Sequence, residues 1–151
     1  MKFLCDQMLG TLAKWLRIYG FDTFYASSDI KDSELLKISK DENRILLTRD
    51  KELIYQARRE NIKTFEIKST DIDKELSNIL SDIKIDKKMI LSRCILCNSI
   101  VEEIKKENVK EKVPERVFNN NNKFWHCKKC NKIYWKGSHF EKMKEKINNL
   151  S

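Results

Sequence analysis

The chain has 151 residues, enough for one medium domain or two small ones. Charged residues make up 36%, the net charge is +8, and Gly and Pro number only 3 and 1, which leaves few residues for flexible linkers. No apolar run approaches membrane-spanning length, and M-K-F-L-C-D reaches Asp6 before any run long enough for a secretion signal. A cytoplasmic protein with reduced thiols and no membrane partner is therefore expected.

Lys2–Cys5 reads as a short buried strand. Asp6 to Tyr19 carries Met8, Leu9, Leu12, Ala13, Leu16 and Ile18 close to helical spacing, and Gly20 follows as a C-cap. Asp22–Ala26 is a second strand, and Asp32 to about Glu42 a second helix with Leu35, Leu36 and Ile38 inward. Arg44–Thr48 is a third strand, Lys51–Glu60 a third helix, Lys63–Lys68 a fourth strand and Asp71 to Ile83 a fourth helix. Four such alternations predict an α/β fold, a parallel sheet with right-handed crossovers and helices on both faces. There is no Gly-rich turn after the first strand, so a dinucleotide-binding version is not expected.

In such a sheet, ligands bind beyond the C-terminal ends of the strands. Asp6 and Asp50 fall there, after the first and third strands, while Asp32, Asp71 and Asp73 open helices on the same edge. Each alone has a plain reading as a helix N-cap. If the strand order is 2-1-3-4, Asp6 and Asp50 end adjacent strands, and like charges so placed repel unless a cation lies between them. Oxygen ligands of this kind suit Mg²⁺ or Mn²⁺. No His precedes His126, which excludes an imidazole acid/base pair in this half. Cys5 lies within an apolar strand and reads as a buried small residue rather than a nucleophile. Metal-assisted hydrolysis is the chemistry that carboxylates alone support. Lys14, Arg17 and Arg49 lie near these acids in sequence and either grip phosphate or form solvated surface charge. A phospho-acceptor receiver would need a fifth strand ending in Lys, and a haloacid-type phosphatase would need D-x-D where Asp6-Gln7-Met8 stands.

Residues 85–92 contain no Gly or Pro, so the halves they join are expected to sit against each other. Then Cys94 and Cys97 stand in R-C-I-L-C-N, and Cys127 and Cys130 in H-C-K-K-C-N. Two C-x2-C turns separated by 29 residues (127 − 97 − 1) present four thiolates to one zinc ion. Four Cys fill all four positions, so this site is structural. His126 and His139 are then bystanders. Asn119–Asn122 reads as a loop tip.

Residues 1–92 carry 17 Lys+Arg and 16 Asp+Glu, whereas residues 93–151 carry 14 and 7. The basic surplus thus sits on the cysteine-bearing half, where Trp125, Tyr134, Trp135 and Phe140 interleave with Lys128, Lys129, Lys132 and Lys136. That combination suits nucleic acid: Lys for the backbone, rings for the bases. Most of the rings are nonetheless expected to fill a small core.

Three runs carry a resemblance: F-L-C-D-Q-M-L-G-T-L-A-K-W-L-R-I-Y-G-F-D-T (Phe3–Thr23), D-S-E-L-L (Asp32–Leu36) and I-L-L-T-R-D (Ile45–Asp50). With S-R-C-I-L-C-N, V-P-E-R-V and F-W-H-C-K-K-C-N-K-I-Y-W-K-G-S-H in the tail, the chain resembles the Mut7-C RNase family, a branch of the PIN-like nucleases. The resemblance implies a PIN-like nuclease domain over residues 1–91, a zinc ribbon over 92–151, and divalent-metal-dependent ribonuclease activity. It implies Asp6, Asp32 and Asp50 as catalytic acids holding Mg²⁺ or Mn²⁺, with Glu34 a substitute for Asp32 and Asp71 or Asp73 a fourth acid. The rival reading is an RNA- or ribosome-binding adaptor without catalysis. The sequence names no protein partner.

Overall fold

The computed structural model describes residues 1–137 together with 141, 142 and 145. The first part alternates as expected: β1 (Lys2–Cys5), α1 (Gly10–Ile18), β2 (Asp22–Tyr25), α2 (Asp32–Asp41), β3 (Ile45–Thr48), α3 (Lys51–Arg59), β4 (Thr64–Glu66) and α4 (Ile72–Leu80). All pairings are parallel and the order is β2-β1-β3-β4. Strands β1 and β3 are therefore central neighbours. The elements are trimmed relative to the sequence pattern, and the first helix opens with a 3-10 turn, Gln7–Leu9, before α1 begins.

The core has two sides because side chains alternate along a strand. Phe3, Cys5 and Leu47 point to one face and meet Leu12 and Leu16 of α1 and Leu76 and Ile79 of α4. Leu4 and Leu46 point to the other and meet Leu35 and Leu36 of α2 and Leu53 and Ala57 of α3. Each Leu, Ile and Phe among them contributes about 1.5–3 kcal/mol by leaving water.

The cysteine-bearing part is a second, three-stranded antiparallel sheet of β5 (Glu102–Ile104), β6 (Phe124–His126) and β7 (Ile133–Tyr134), with a short α5 (Glu115–Asn120) between β5 and β6. The asparagine run departs from expectation. Asn119 and Asn120 end α5, and the Asn121 amide donates to the Val117 carbonyl at 2.9 Å, so the run closes a helix instead of forming a loose tip.

The two sheets are joined by a polar seam at the start of β2. Asn98 reaches across with both ends of its amide: its oxygen accepts from the Thr23 N–H at 3.0 Å, and its nitrogen donates to Asp22 at 2.7 Å. Thr23 lies on an edge strand, so Asn98 satisfies an otherwise open backbone donor. Arg44 holds Asp22 from the opposite side at 2.9 Å. The Leu91 N–H donates to the Ile18 carbonyl at 2.8 Å, and Arg93 donates to the Gly20 carbonyl. Gly20 is required here for two reasons. Its φ is +96°, and a Cβ would stand 2.4 Å from the Met89 carbonyl oxygen. The two halves sit against each other, as expected of a join without Gly or Pro.

Candidate active site and metal centre

Asp6 follows β1 and Asp50 follows β3, at the C-terminal edge of the parallel sheet. One residue connects them. The hydroxyl of buried Thr48 donates to Asp6 Oδ2 and accepts from the Asp50 N–H at 3.1 Å. Asp6 Oδ1 accepts from the Met8 N–H at 3.0 Å, capping the 3-10 turn. Asp50 Oδ1 accepts from Glu52 and Leu53 N–H groups at 2.9 and 3.3 Å, capping α3. Capping thus uses one oxygen of each carboxylate. In Asp50 the second oxygen remains available on an exposed side chain.

The other acids are less drawn in. Asp32 is the first residue of α2, exposed, with Lys31 rather than Asp32 at the cap position. Asp71 caps α4 through the Asp73 and Lys74 N–H groups. Asp6, Asp32 and Asp50 do not form a group close enough to share one ion; among the described residues only the four cysteines do. Glu75, unremarked in the sequence pattern, is buried and accepts from the Ser69 N–H at 2.8 Å, holding the loop before α4.

Of the cations near these acids, Lys14 is exposed on α1 and Arg49 is half-buried between Thr48 and Asp50. Arg17 corrects the expectation of a phosphate contact. It is 7% exposed, and its guanidinium donates to the carbonyls of Thr23 and Ile95 at 3.0 and 2.9 Å. A guanidinium that is buried and has two of its five N–H donors committed inside the seam is turned away from an incoming phosphate. Cys5 is fully buried, and burial above all raises its thiol pKa, as suits an inert core residue.

The cysteines form the second site. Cys94, Cys97, Cys127 and Cys130 bring their sulfurs within 4.8 Å of one another, with Cys97 and Cys127 at 3.4 Å. The two C-x2-C turns are built alike. Asn98 and Asn131 both take left-handed φ (72° and 58°) and donate to the carbonyls of Cys94 and Cys127 at 2.9 and 2.8 Å. The Cys94 and Cys127 N–H groups in turn donate to Ser99 and Lys132 carbonyls. Asn tolerates this conformation best after Gly, which explains the identical C-x-x-C-N spelling of both turns. The donor set suits zinc, which favours four thiolates at tetrahedral corners. Burial would raise the Cys97 thiol, but hydrogen bonds from Ser99 outweigh it and bring it down to about 6. Its hydrogen bond to Cys97, with burial, pushes Cys130 up to about 12. Thiolates this close resist ionising together, and a dication relieves that conflict. Tyr134 donates to Cys94 Sγ at 3.1 Å and accepts from the Ile95 N–H, steadying the first turn.

Around this centre Trp125 and Tyr134 pack against the cysteines, as a small core requires. Lys136 lies 5.2 Å from the Trp125 ring centroid and Lys132 5.6 Å from that of Tyr134. Lys128 pairs with Glu102 at 3.0 Å, while Lys129 is exposed. Lys132 and Trp135 line a cavity of about 680 Å³ with Lys112, Pro114 and His126. His126 is not a member of the cysteine cluster; its Nδ1 is buried without a partner. His139 and Phe140 lie outside the described residues.

The Mut7-C RNAse domain model matches residues 1–147, a span that includes both the acids and the four cysteines. The chain belongs to the Mut7-C RNase family. No curated protein and no solved structure matches it. Membership of a Mut7-C RNase domain family points to a nuclease-type function and to RNA as the substrate class. The four cysteines add a site able to hold a metal such as zinc. No helix among the described residues is long and apolar enough to cross a membrane.

Proposed function

We propose that the protein is a divalent-metal-dependent ribonuclease that hydrolyses RNA phosphodiesters at the edge bearing Asp6 and Asp50. The observation that carries this reading is the Thr48 hydroxyl, which ties the Asp6 carboxylate to the Asp50 backbone at the ends of two central strands, in a chain of an RNase family. Residues 1–91 serve as the nuclease module and residues 92–151 as the zinc ribbon.

Asp6 and Asp50 would hold Mg²⁺ or Mn²⁺, with Asp32, outside that pair, orienting the attacking water. These donors fit the group, since Mg²⁺ is commonly held through one or two carboxylates and keeps several of its waters. When bound, the ion lowers the pKa of an attacking water and offsets charge on the phosphoryl oxygens. The chain's own part is to orient and to bind. Thr48 donates to Asp6, which fixes the carboxylate's rotamer. Asp50 is fixed by two N–H groups of α3 and presents its remaining oxygen outward. Lys14 and Arg49 are placed to attract phosphate near the acids. Lys129, Lys132 and Lys136, with Lys128 beside them, hold RNA backbone on the ribbon. The first cysteine turn seats at the start of β2, whereas the acids follow strand ends. A substrate held by both modules therefore has to run along the molecule.

One observation favours a second reading, a binding adaptor without cleavage: Asp6, Asp32 and Asp50 do not converge as a single group. Purified full-length chain incubated with single-stranded RNA under Mg²⁺, under Mn²⁺ and without divalent metal separates the two. Cleavage that depends on the added ion supports the nuclease. RNA binding with no cleavage under any ion supports the adaptor.

A further inference from the structure

Tyr25 ends β2 in register with Cys5, beside the point where β1 turns into Asp6. In a parallel pair, residues in register share a face, so Tyr25 projects on the α1 side. Asp6, one residue beyond Cys5, meets Thr48, whose neighbour Leu47 is the residue in register with Cys5. The acid and the ring therefore flank the same strand ends from opposite faces of the sheet. Tyr25 is 40% exposed, an aromatic left partly in water at the end of its strand.

Two contacts hold that ring. Its hydroxyl donates to the Gln7 carbonyl at 2.6 Å. The second contact explains a glycine. Gly10 opens α1 at φ −60° and ψ −42°, ordinary helical angles that any residue adopts. Glycine within a helix costs about 1 kcal/mol relative to alanine, so the backbone does not call for it. A Cβ at Gly10 would stand 3.1 Å from the Tyr25 hydroxyl oxygen and 3.3 Å from its Cζ. The glycine makes a seat for the ring.

We propose that Tyr25 is a nucleobase-stacking platform, taking the base of a nucleotide next to the linkage held at Asp6 and Asp50. This rests on the ribonuclease reading above and deepens it. A ring tethered at its hydroxyl and seated on Gly10 loses little freedom when a base stacks on it. Its polar handle is already satisfied by Gln7, so it offers a π-face and no donor to read a base edge. Stacking of this kind accepts every base. The site selects single-stranded RNA, whose bases are free to splay, over paired RNA.

The test uses short single-stranded RNAs carrying the fluorescent base 2-aminopurine at one position at a time. They are mixed with full-length chain in the Asp50→Asn background so that no substrate is consumed. On binding, one position is quenched. Tyr25→Phe keeps the ring without the tether and retains quench and affinity within about twofold. Tyr25→Leu keeps the fold, checked by thermal unfolding, but loses the quench and binds roughly tenfold more weakly. The proposal is overturned if Tyr25→Leu binds and quenches like its parent, if Tyr25→Phe fails as Tyr25→Leu does, or if the parent binds no RNA. The two readings fail separately. Quenching on Tyr25 without cleavage by the wild-type chain defeats the nuclease and leaves the platform. Cleavage indifferent to Tyr25→Leu defeats the platform and leaves the nuclease.

Discussion

Thr48 is the residue on which the candidate active site turns, and it was not legible in the sequence. A threonine in a buried strand reads as a β-former filling space. Only the pairing of β1 with β3 brings its hydroxyl to Asp6. Thr48→Val keeps the volume and removes the hydroxyl. The Asp6 oxygen then loses its donor and the Asp50 N–H its acceptor, which costs about 1–3 kcal/mol of stability. Cleavage falls further than stability, because the carboxylate is no longer oriented. Thr48→Ser retains the hydroxyl and restores most of the activity. Urea unfolding measured beside cleavage kinetics checks both effects. Asp6 and Asp50, by contrast, were legible from their position after strands, and the plain cap reading was legible too. The structure realises the cap with one oxygen of each. Arg17 misled because proximity in sequence to the acids said nothing of its side. On α1 it faces the core and the seam.

At the scale of elements, β1 to α4 were legible because apolar residues recur at strand and helix spacing. Their ends were less so, since ladders stop where partners stop: β4 pairs only over Thr64–Glu66. The seam between the sheets was not legible in detail, as it joins residues far apart in the chain, from Arg93 to Gly20, 73 apart, to Thr23 and Asn98, 75 apart. A partial signal existed in the repeated Asn after each C-x-x-C, whose left-handed turn leaves the Asn98 side chain free to reach out. The seam predicts a pH dependence. Burial would raise the Asp22 carboxyl, but the Asn98 hydrogen bond and the Arg44 charge outweigh it and hold Asp22 below its ordinary 3.8. A depressed folded pKa means that this contribution is complete above about 3.8 and is lost as pH falls below it. Asp22→Asn removes the charge that Arg44 holds and costs about 1–3 kcal/mol at neutral pH. The gap between variant and parent in thermal unfolding should close as the buffer is taken below pH 3.8. A constant gap across that range would remove Asp22 from the seam.

For the whole molecule, the seam makes the cysteine centre part of the stability of the parallel sheet. Cys94→Ser should lose the metal and release the turn that carries Asn98. The loss should therefore reach the Thr23 amide on β2, which exchanges its hydrogen faster in the variant than in the parent. Protection unchanged at Thr23 would mean that the seam holds without the metal. A chain ended after Leu91 should bind RNA more weakly and with a shallower salt dependence, because the basic surplus of residues 93–151 is gone. It also leaves Arg17 without the Ile95 carbonyl and Asp22 without Asn98, so its unfolding temperature should fall as well. The central claim, however, concerns the acids. The measurement that tests it most directly is single-turnover RNA cleavage in Mn²⁺ by Asp6→Asn and Asp50→Asn, with thermal unfolding of each. Asn caps a helix about as well as Asp, so the fold should persist in both variants. Cleavage should fall by at least roughly a hundredfold once the charge that holds the cation is gone. Cleavage at the wild-type rate by both variants would reduce these aspartates to caps and contradict the account.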